Sequence, residues 1–198
     1  MKKLLASALI SLVGVSAMAK TIPAGTYTID PAHSNVSFKI RHLVISTVEG
    51  RFSNFDGKII IDPKVEKSKA EMSVDVASIN TDNKDRDDHL RSADFFDAAK
   101  HPKINFVIKK IKADGDDFKI VGDLTIKGKK KEVTLEADYL GDVQDAFGNH
   151  KIAFSAEGKI SRKDFGITWN NVVEAGPVVG DEVKLALNIQ AAKPVEKK

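Results

Sequence analysis

The densest set of chemically capable side chains in this 198-residue chain lies between Ser78 and Phe106. There Arg86, His89 and Arg91 sit among five aspartates from Asp82 to Asp94, followed by Phe95-Phe96. His89 beside Asp87 and Asp88 has the composition of a general acid/base pair. No G-x-S-x-G nucleophile turn accompanies it, so the rest of the sequence lends catalysis no support. Asp82 to Asp88 is acidic enough for a calcium loop, yet Lys84 and Arg86 occupy ligand positions and the central glycine is missing. What remains is a charge network, with both arginines in local reach of Asp85, Asp87, Asp88, Asp94 and Asp97. The alternative use of the same arginines and aromatics is to meet the polar head of a ligand.

Elsewhere the candidates thin out. Gly122 to Lys130 looks like a phosphate-binding loop, but five residues rather than four separate its glycines, and Lys130 stands where Ser or Thr is required. A strand with a tight turn accounts for it better. The five histidines include no pair at i, i+2 or i, i+4 that would set two imidazoles on one metal. The sequence contains no cysteine, which excludes disulfides, thiolate zinc sites, iron–sulfur clusters and cysteine nucleophiles. No cofactor is implied.

Residues 1–19 read as an export leader: Lys2-Lys3, an apolar run from Leu4 to Val15, and Ala17-Met18-Ala19 as a cleavage site. The expected destination is the periplasm, with full secretion as the alternative. Removing Lys2 and Lys3 from the 31 basic residues leaves 29 against 28 acidic ones, mixed along the chain. A nucleic-acid partner would call for a concentrated basic face and is not expected. Residues 20–191 are long enough for one domain with a sizeable core, and 192–198 read as a flexible tail.

Most of that domain alternates apolar and polar residues at the period of half-buried strands. Phe38 and Ile40 share one face with Val36; Ile104, Phe106 and Ile108 share another. The pattern recurs through Phe118, Ile120 and Leu124, through Val133, Leu135 and Ala137, through Ile152 and Phe154, and through Leu185, Leu187 and Ile189. Short turns such as Lys127-Gly128 make successive strands antiparallel neighbours. Eight or nine one-faced strands must hide one apolar face, in a sandwich or in a barrel. Closure removes exposed edges, and Gly122 and Gly158 fall inside strands where a bent barrel needs them, so a barrel is favoured. Only Ser78 to Phe106 interrupts the period. It reads as a helical crossover from about Asp85 to Ala98 that caps one end, stopped by Pro102. Periodicity leaves open whether the interior is filled or hollow.

These residues together resemble the YceI-like periplasmic proteins, also called polyisoprenoid-binding proteins. The resemblance spans nearly the whole domain: Ile29-Asp30, His33-Ser34, Gly50-Arg51-Phe52, Arg86-Asp87, His89-Leu90, Asp94-Phe95-Phe96-Asp97, Gly122 to Gly128, Arg162, Asp164-Phe165-Gly166 and Gly180 to Val183. Tyr27 stands where members commonly carry Trp. The resemblance implies a lipocalin-like antiparallel barrel of about eight strands that holds a long amphiphile, an isoprenoid chain or isoprenoid quinone, without catalysis. It allows a homodimer and transient membrane contact. The expected bore residues are Phe38, Ile40, Phe106, Ile120, Leu135, Phe154 and Leu187, with Phe52, Arg86, Phe96 and Trp169 nearer an end, Trp169 in an irregular stretch that forms a second lid. The competing readings are a hydrolase or isomerase built on His89, and a packed stress-protective module without a ligand.

Overall fold

Alternating apolar and polar side chains become strands here because each strand can turn its apolar face to one shared interior. A computed structural model describes residues 21–114, 117–173 and 176–193; the expected leader and residues 194–198 lie outside the described residues. In chain order the strands are β1 Gly25–Ile29, β2 Asn35–His42, β3 Ser46–Phe52, β4 Phe55–Ile61, β5 Lys69–Asp75 and β6 Ile79–Asn80. After the helix α1, Lys84–Arg91, follow β7 Lys103–Asp114, β8 Asp117–Ile126, β9 Lys129–Gln144 and β10 His150–Ser161. The short hairpin β11 Val172–Val173 and β12 Gly176–Pro177 precedes β13 Val179–Lys193.

Eight strands, β1-β4-β5-β7-β8-β9-β10-β13, form an antiparallel barrel closed by the pairing of β1 with β13. The last strand runs two residues past the expected end of the domain: Ala192 pairs with Thr28 and Lys193 with His150. On the edge away from β10, β13 pairs first with β2, from Val179 to Asn188, and then with β1 at Ala191 and Ala192. The sheet therefore splits, and β2-β3-β6 extend the wall beyond the closed ring at one end. β3 escapes the periodicity because its inward face reads Val48, Gly50, Phe52. A Cβ on Gly50 would stand 2.4 Å from the ring of Phe38, so that ring occupies the space a side chain would take. Gly122 serves the same purpose under Phe106, at 2.5 Å, opposite a bulge between Ile108 and Lys110.

The crossover caps this extended end, but its helix is shorter than the sequence suggests. Asn83 caps the start by accepting from the Arg86 amide, and after Arg91 the chain turns through Ser92 to a left-handed Asp97. That turn buries Phe95, which a continuing helix would have carried around the axis. The arginines bind backbone more than carboxylates. Arg91 donates to the carbonyls of Ala77 and Ile79, at 2.9 Å each, and pairs with Asp88 alone among the five expected aspartates. Arg86 donates to Thr81 Oγ1 and Thr81 O, both at 2.7 Å, while the buried Asp87 accepts from the Thr81 amide and hydroxyl. Carbonyls freed where the sheet ends need donors, and a forked guanidinium supplies several from one side chain.

The opposite end is filled. Tyr27, Tyr139, Ile152 and Ala191 are almost completely buried there. The Tyr139 hydroxyl donates to Asp142 Oδ1 at 2.5 Å, and His150 Nε2 lies 2.8 Å from Asp142 Oδ2. Burial, then the bond to Asp142, push the Tyr139 phenol above its ordinary value. The Tyr139 hydroxyl, then His150, hold the Asp142 carboxyl below its usual range.

Two expectations follow. Arg162 is buried and donates to the carbonyls of Gly180, Ile167, Trp169 and Val179, so it ties the irregular stretch before β11 to the start of β13. Arg162→Ala takes this donor from the carbonyls of Gly180, Ile167 and Trp169, while that of Val179 keeps the Asn170 side-chain amide, and should cost about 3–5 kcal/mol, lowering the thermal midpoint by roughly 10 °C or more in circular-dichroism melts; Arg162→Lys, one ammonium against several carbonyls, should recover little of it. For Asp142 the depressed carboxyl contributes stability present above its unfolded pKa of about 3.9 and lost as pH falls through the lower folded value. Asp142→Asn should therefore melt below the parent at pH 7, with the gap closing toward pH ~2.5; a gap constant across that range contradicts the assignment.

Candidate functional site

The barrel interior is hollow over much of its length, with a cavity of about 610 Å³ walled almost entirely by apolar side chains. All eleven residues singled out from the sequence border it. Phe38 and Ile40 reach it from β2 and Phe52 from β3; Phe106, Ile120, Leu135 and Phe154 reach it from β7, β8, β9 and β10, and Leu187 from β13. Arg86 lies on α1 and Phe96 just after it, while Trp169 lies in the stretch between β10 and β11. Phe52 and Leu135 are buried, whereas Phe38, Ile40, Phe106, Ile120, Phe154 and Leu187 keep accessible surface facing inward. An apolar side chain at the centre of a domain that still has accessible surface borders empty space, and such space forfeits the contacts of a packed core.

Two aromatic groups build the rim at the extended end. Phe38, Phe52 and Phe96 follow one another with ring centroids 5.9 and 6.1 Å apart. Phe95, His89 and Trp169 form a second group, with His89 edge-on to each of the others at 4.9 Å and Phe95 to Trp169 at 5.1 Å. The helix and the Trp169 stretch thus meet across the top of the cavity, each covering part of it. The second group was not foreseen, because its members lie eighty residues apart in the chain and no local pattern links them.

Arg41, Asp85, Arg86, His89 and Arg162 border the cavity at this rim, while Ser68, Lys69 and Glu71 border it around the start of β5. Arg162 has its donors directed to backbone and to Asp181, and burial pulls its guanidinium below the ordinary value while Asp181 opposes the shift. Arg86 spends Nε and Nη2 on Thr81, and its Nη1 has no protein partner among the described residues. His89 does not pair with Asp87 or Asp88 as the sequence suggested. Neighbours one or two apart on a helix point away from each other, and Nε2 of His89 lies instead 3.0 Å from Asp94 Oδ2, which the Ser92 turn brings back. Asp87 faces Thr81. Among the described residues no group of three His, Asp or Glu side chains is placed to hold a metal ion. Arg162 stands among the residues that carry the family resemblance, but it was given no place in the site because an arginine closing an amphipathic strand reads as a solvent-facing residue.

Comparison with known proteins places this architecture. The sequence profile described as the YceI-like domain matches residues 27–191. Protein YceI of Escherichia coli O17:K52:H18 is 38% identical over 191 residues, covering 92% of this chain and 97% of that protein. A UPF0312 protein of Pectobacterium atrosepticum is 36% identical over 195 residues, covering 96% and 99%. Among solved structures, the Campylobacter jejuni YCEI protein superposes with a TM-score of 0.68 at 37% identity, covering 84% of this chain and 96% of that one. BcnA of Burkholderia cenocepacia gives 0.73 at 29% identity, covering 82% and 98%. A polyisoprenoid binding domain of Saccharophagus degradans gives 0.64 at 16% identity, covering 85% and 98%, and so shares the fold. With the domain matched end to end and relatives this similar along their whole length, the chain belongs to the YceI-like domain family.

Proposed function

We propose that the protein is a non-catalytic carrier that shields the apolar chain of a long amphiphile, a polyisoprenoid or isoprenoid quinone, inside the barrel, and that it works in the periplasm after export through its leader. The hollow apolar cavity of about 610 Å³ carries the reading. That volume lies within the range of small-molecule sites, about 300–1,000 Å³. At about 30 Å³ per water-sized group it holds on the order of twenty such groups. Ten buried carbons offer about 8 kcal/mol, an amount that the cost of association, about 4–15 kcal/mol, consumes. Twenty offer about twice as much, so the site selects length.

The chemistry of the walls supports a carrier over an enzyme. The walls are overwhelmingly apolar, and at the rim Nη1 of Arg86, unpartnered among the described residues, is free to donate to a carbonyl or hydroxyl head while the tail runs inward past Phe38 and Phe106. A ligand-free module would gain stability by filling this space, since voids cost about 24 cal/mol per Å³ in cores. The description of the Saccharophagus degradans domain as polyisoprenoid binding agrees with the reading, although the likeness there is one of fold.

Organic extraction of the natively purified, exported protein, followed by mass spectrometry, is expected to release an isoprenoid lipid in near-stoichiometric amount; repeatedly empty preparations that also fail to take up added lipid would sink the carrier. The single tryptophan, Trp169, borders the cavity and reports binding directly. Titrating a prenol series against its fluorescence should show affinity rising at least about tenfold per isoprene unit until the cavity is full, whereas a response indifferent to chain length would point to binding at the rim alone.

A further inference from the structure

The turn between β2 and β3 carries side chains that folding alone does not explain. Leu43 and Val44 have φ of +49° and +65°, the left-handed region in which a β-branched residue is strained. A hairpin turn of this hand is normally made by Asn-Gly or Asp-Gly, which adopt it without cost. Here the positions hold leucine and valine, followed by isoleucine, and the tip is exposed: Val44 by 55% and Ile45 by 85%. Exposed apolar surface is unfavourable in water, and that cost is recovered if the tip leaves water; the strain stays in the backbone and is the cost of keeping these residues at the tip.

The position of the tip says what it enters. It stands at the extended end, beside the opening, where Arg41 and His42 border the cavity and Leu43 bonds to the carbonyl of Val178, another bordering residue. The turn itself is only the three residues between His42 and Ser46, too few to supply the roughly 800 Å² per partner of a stable protein interface. Arg41, at its base, is exposed and has no carboxylate partner among the described residues, so the apolar tip sits over an exposed cation. We infer that Leu43-Val44-Ile45 is a bilayer-docking point that enters the interfacial layer of a phospholipid membrane, with Arg41 against lipid phosphates, and sets the cavity opening on the surface from which a chain is drawn.

This inference rests on the carrier reading for its purpose but not for its physics. The opposite end of the barrel supplies an internal control. The β9–β10 tip also exposes apolar residues, Phe147 by 90% and Val143 by 60%, yet it stands at the end packed by Tyr27 and Tyr139, where Lys151 already pairs with Asp145 and His150 with Asp142, so its neighbouring cations, unlike Arg41, are taken.

The test uses the mature chain and vesicles of phosphatidylcholine with and without phosphatidylglycerol. The variant Leu43→Asn/Val44→Gly/Ile45→Ser gives the turn its preferred residues, so it should melt no lower than the parent while its co-flotation with the anionic vesicles falls at least about tenfold. Because the natural chain has no cysteine, Ile45→Cys and Phe147→Cys each take one environment-sensitive label. The label at position 45 should shift to the blue on vesicles and be quenched by lipids brominated in their tails, and the label at 147 should do neither. Unchanged flotation of the turn variant, a label at 45 that stays in water on bound protein, or insertion of the 147 tip instead overturns the proposal. So does a variant that turns a dimer into a monomer while neither form binds vesicles, which assigns the tip to a second copy of this chain. Lipid extraction is read separately: a protein that docks through position 45 but is always empty keeps this inference and removes the carrier, and a loaded protein that does not dock does the reverse.

Discussion

Everything in this structure depends on the continuity of backbone hydrogen bonding around the barrel. A packed core holds its strands together by side-chain contact, and removing interior atoms weakens it in proportion. Here β10 and β13 pair along their length and β13 then passes its other edge from β2 to β1, so the ring closes through main-chain bonds that do not need a full interior. The wall can therefore surround space. The cost of that space is borne by a ladder without free edges in the closed ring and by the two buried clusters that brace it.

Filling is graded from one end to the other. At the Tyr27 and Tyr139 end, aromatic bulk and a small hydrogen-bonded group of Tyr139, Asp142 and His150 pack much of the interior. At the other end the sheet splits, and the gap between wall and crossover is covered by side chains from α1 and from the Trp169 stretch. The two ends use different chemistry because they meet different demands. A permanent plug needs packing, and a cover needs anchors that hold it near the opening without filling it. Arg91 and Arg162 are such anchors, each collecting backbone carbonyls that would otherwise be orphaned.

The legible part of this fold was the part governed by local period. Phe38, Phe106, Leu135 and Leu187 announce an inward face by alternation alone, and their strands lie where the pattern puts them. β3 was illegible because a glycine stood in the apolar phase, for a reason that lies in the ring of Phe38 on another strand. The volume of the cavity was illegible for the same kind of reason: alternation fixes which side chains point inward and carries no information on whether they meet. His89 pairs with Asp94 and meets Phe95 and Trp169 edge-on only through a turn and a loop that periodicity cannot describe. The family resemblance supplied what period could not, since its motifs lie mostly in the irregular stretches.

The short strand β6 divides the wall into unequal seams. It meets β3 at two residue pairs, Arg51 with Asn80 and Phe52 with Ile79, reinforced by the exposed pairing of Arg51 with Asp82. β10 and β13 meet at twelve. Because Arg91 binds the helix to Ala77 and Ile79, α1 and β6 form one piece, and a force that parts the wall peels that piece from β3 long before it separates β10 from β13. The molecule thus has a hem as well as a mouth: a line along which the wall is held by few bonds, with Phe52 and Phe96 as its stitches.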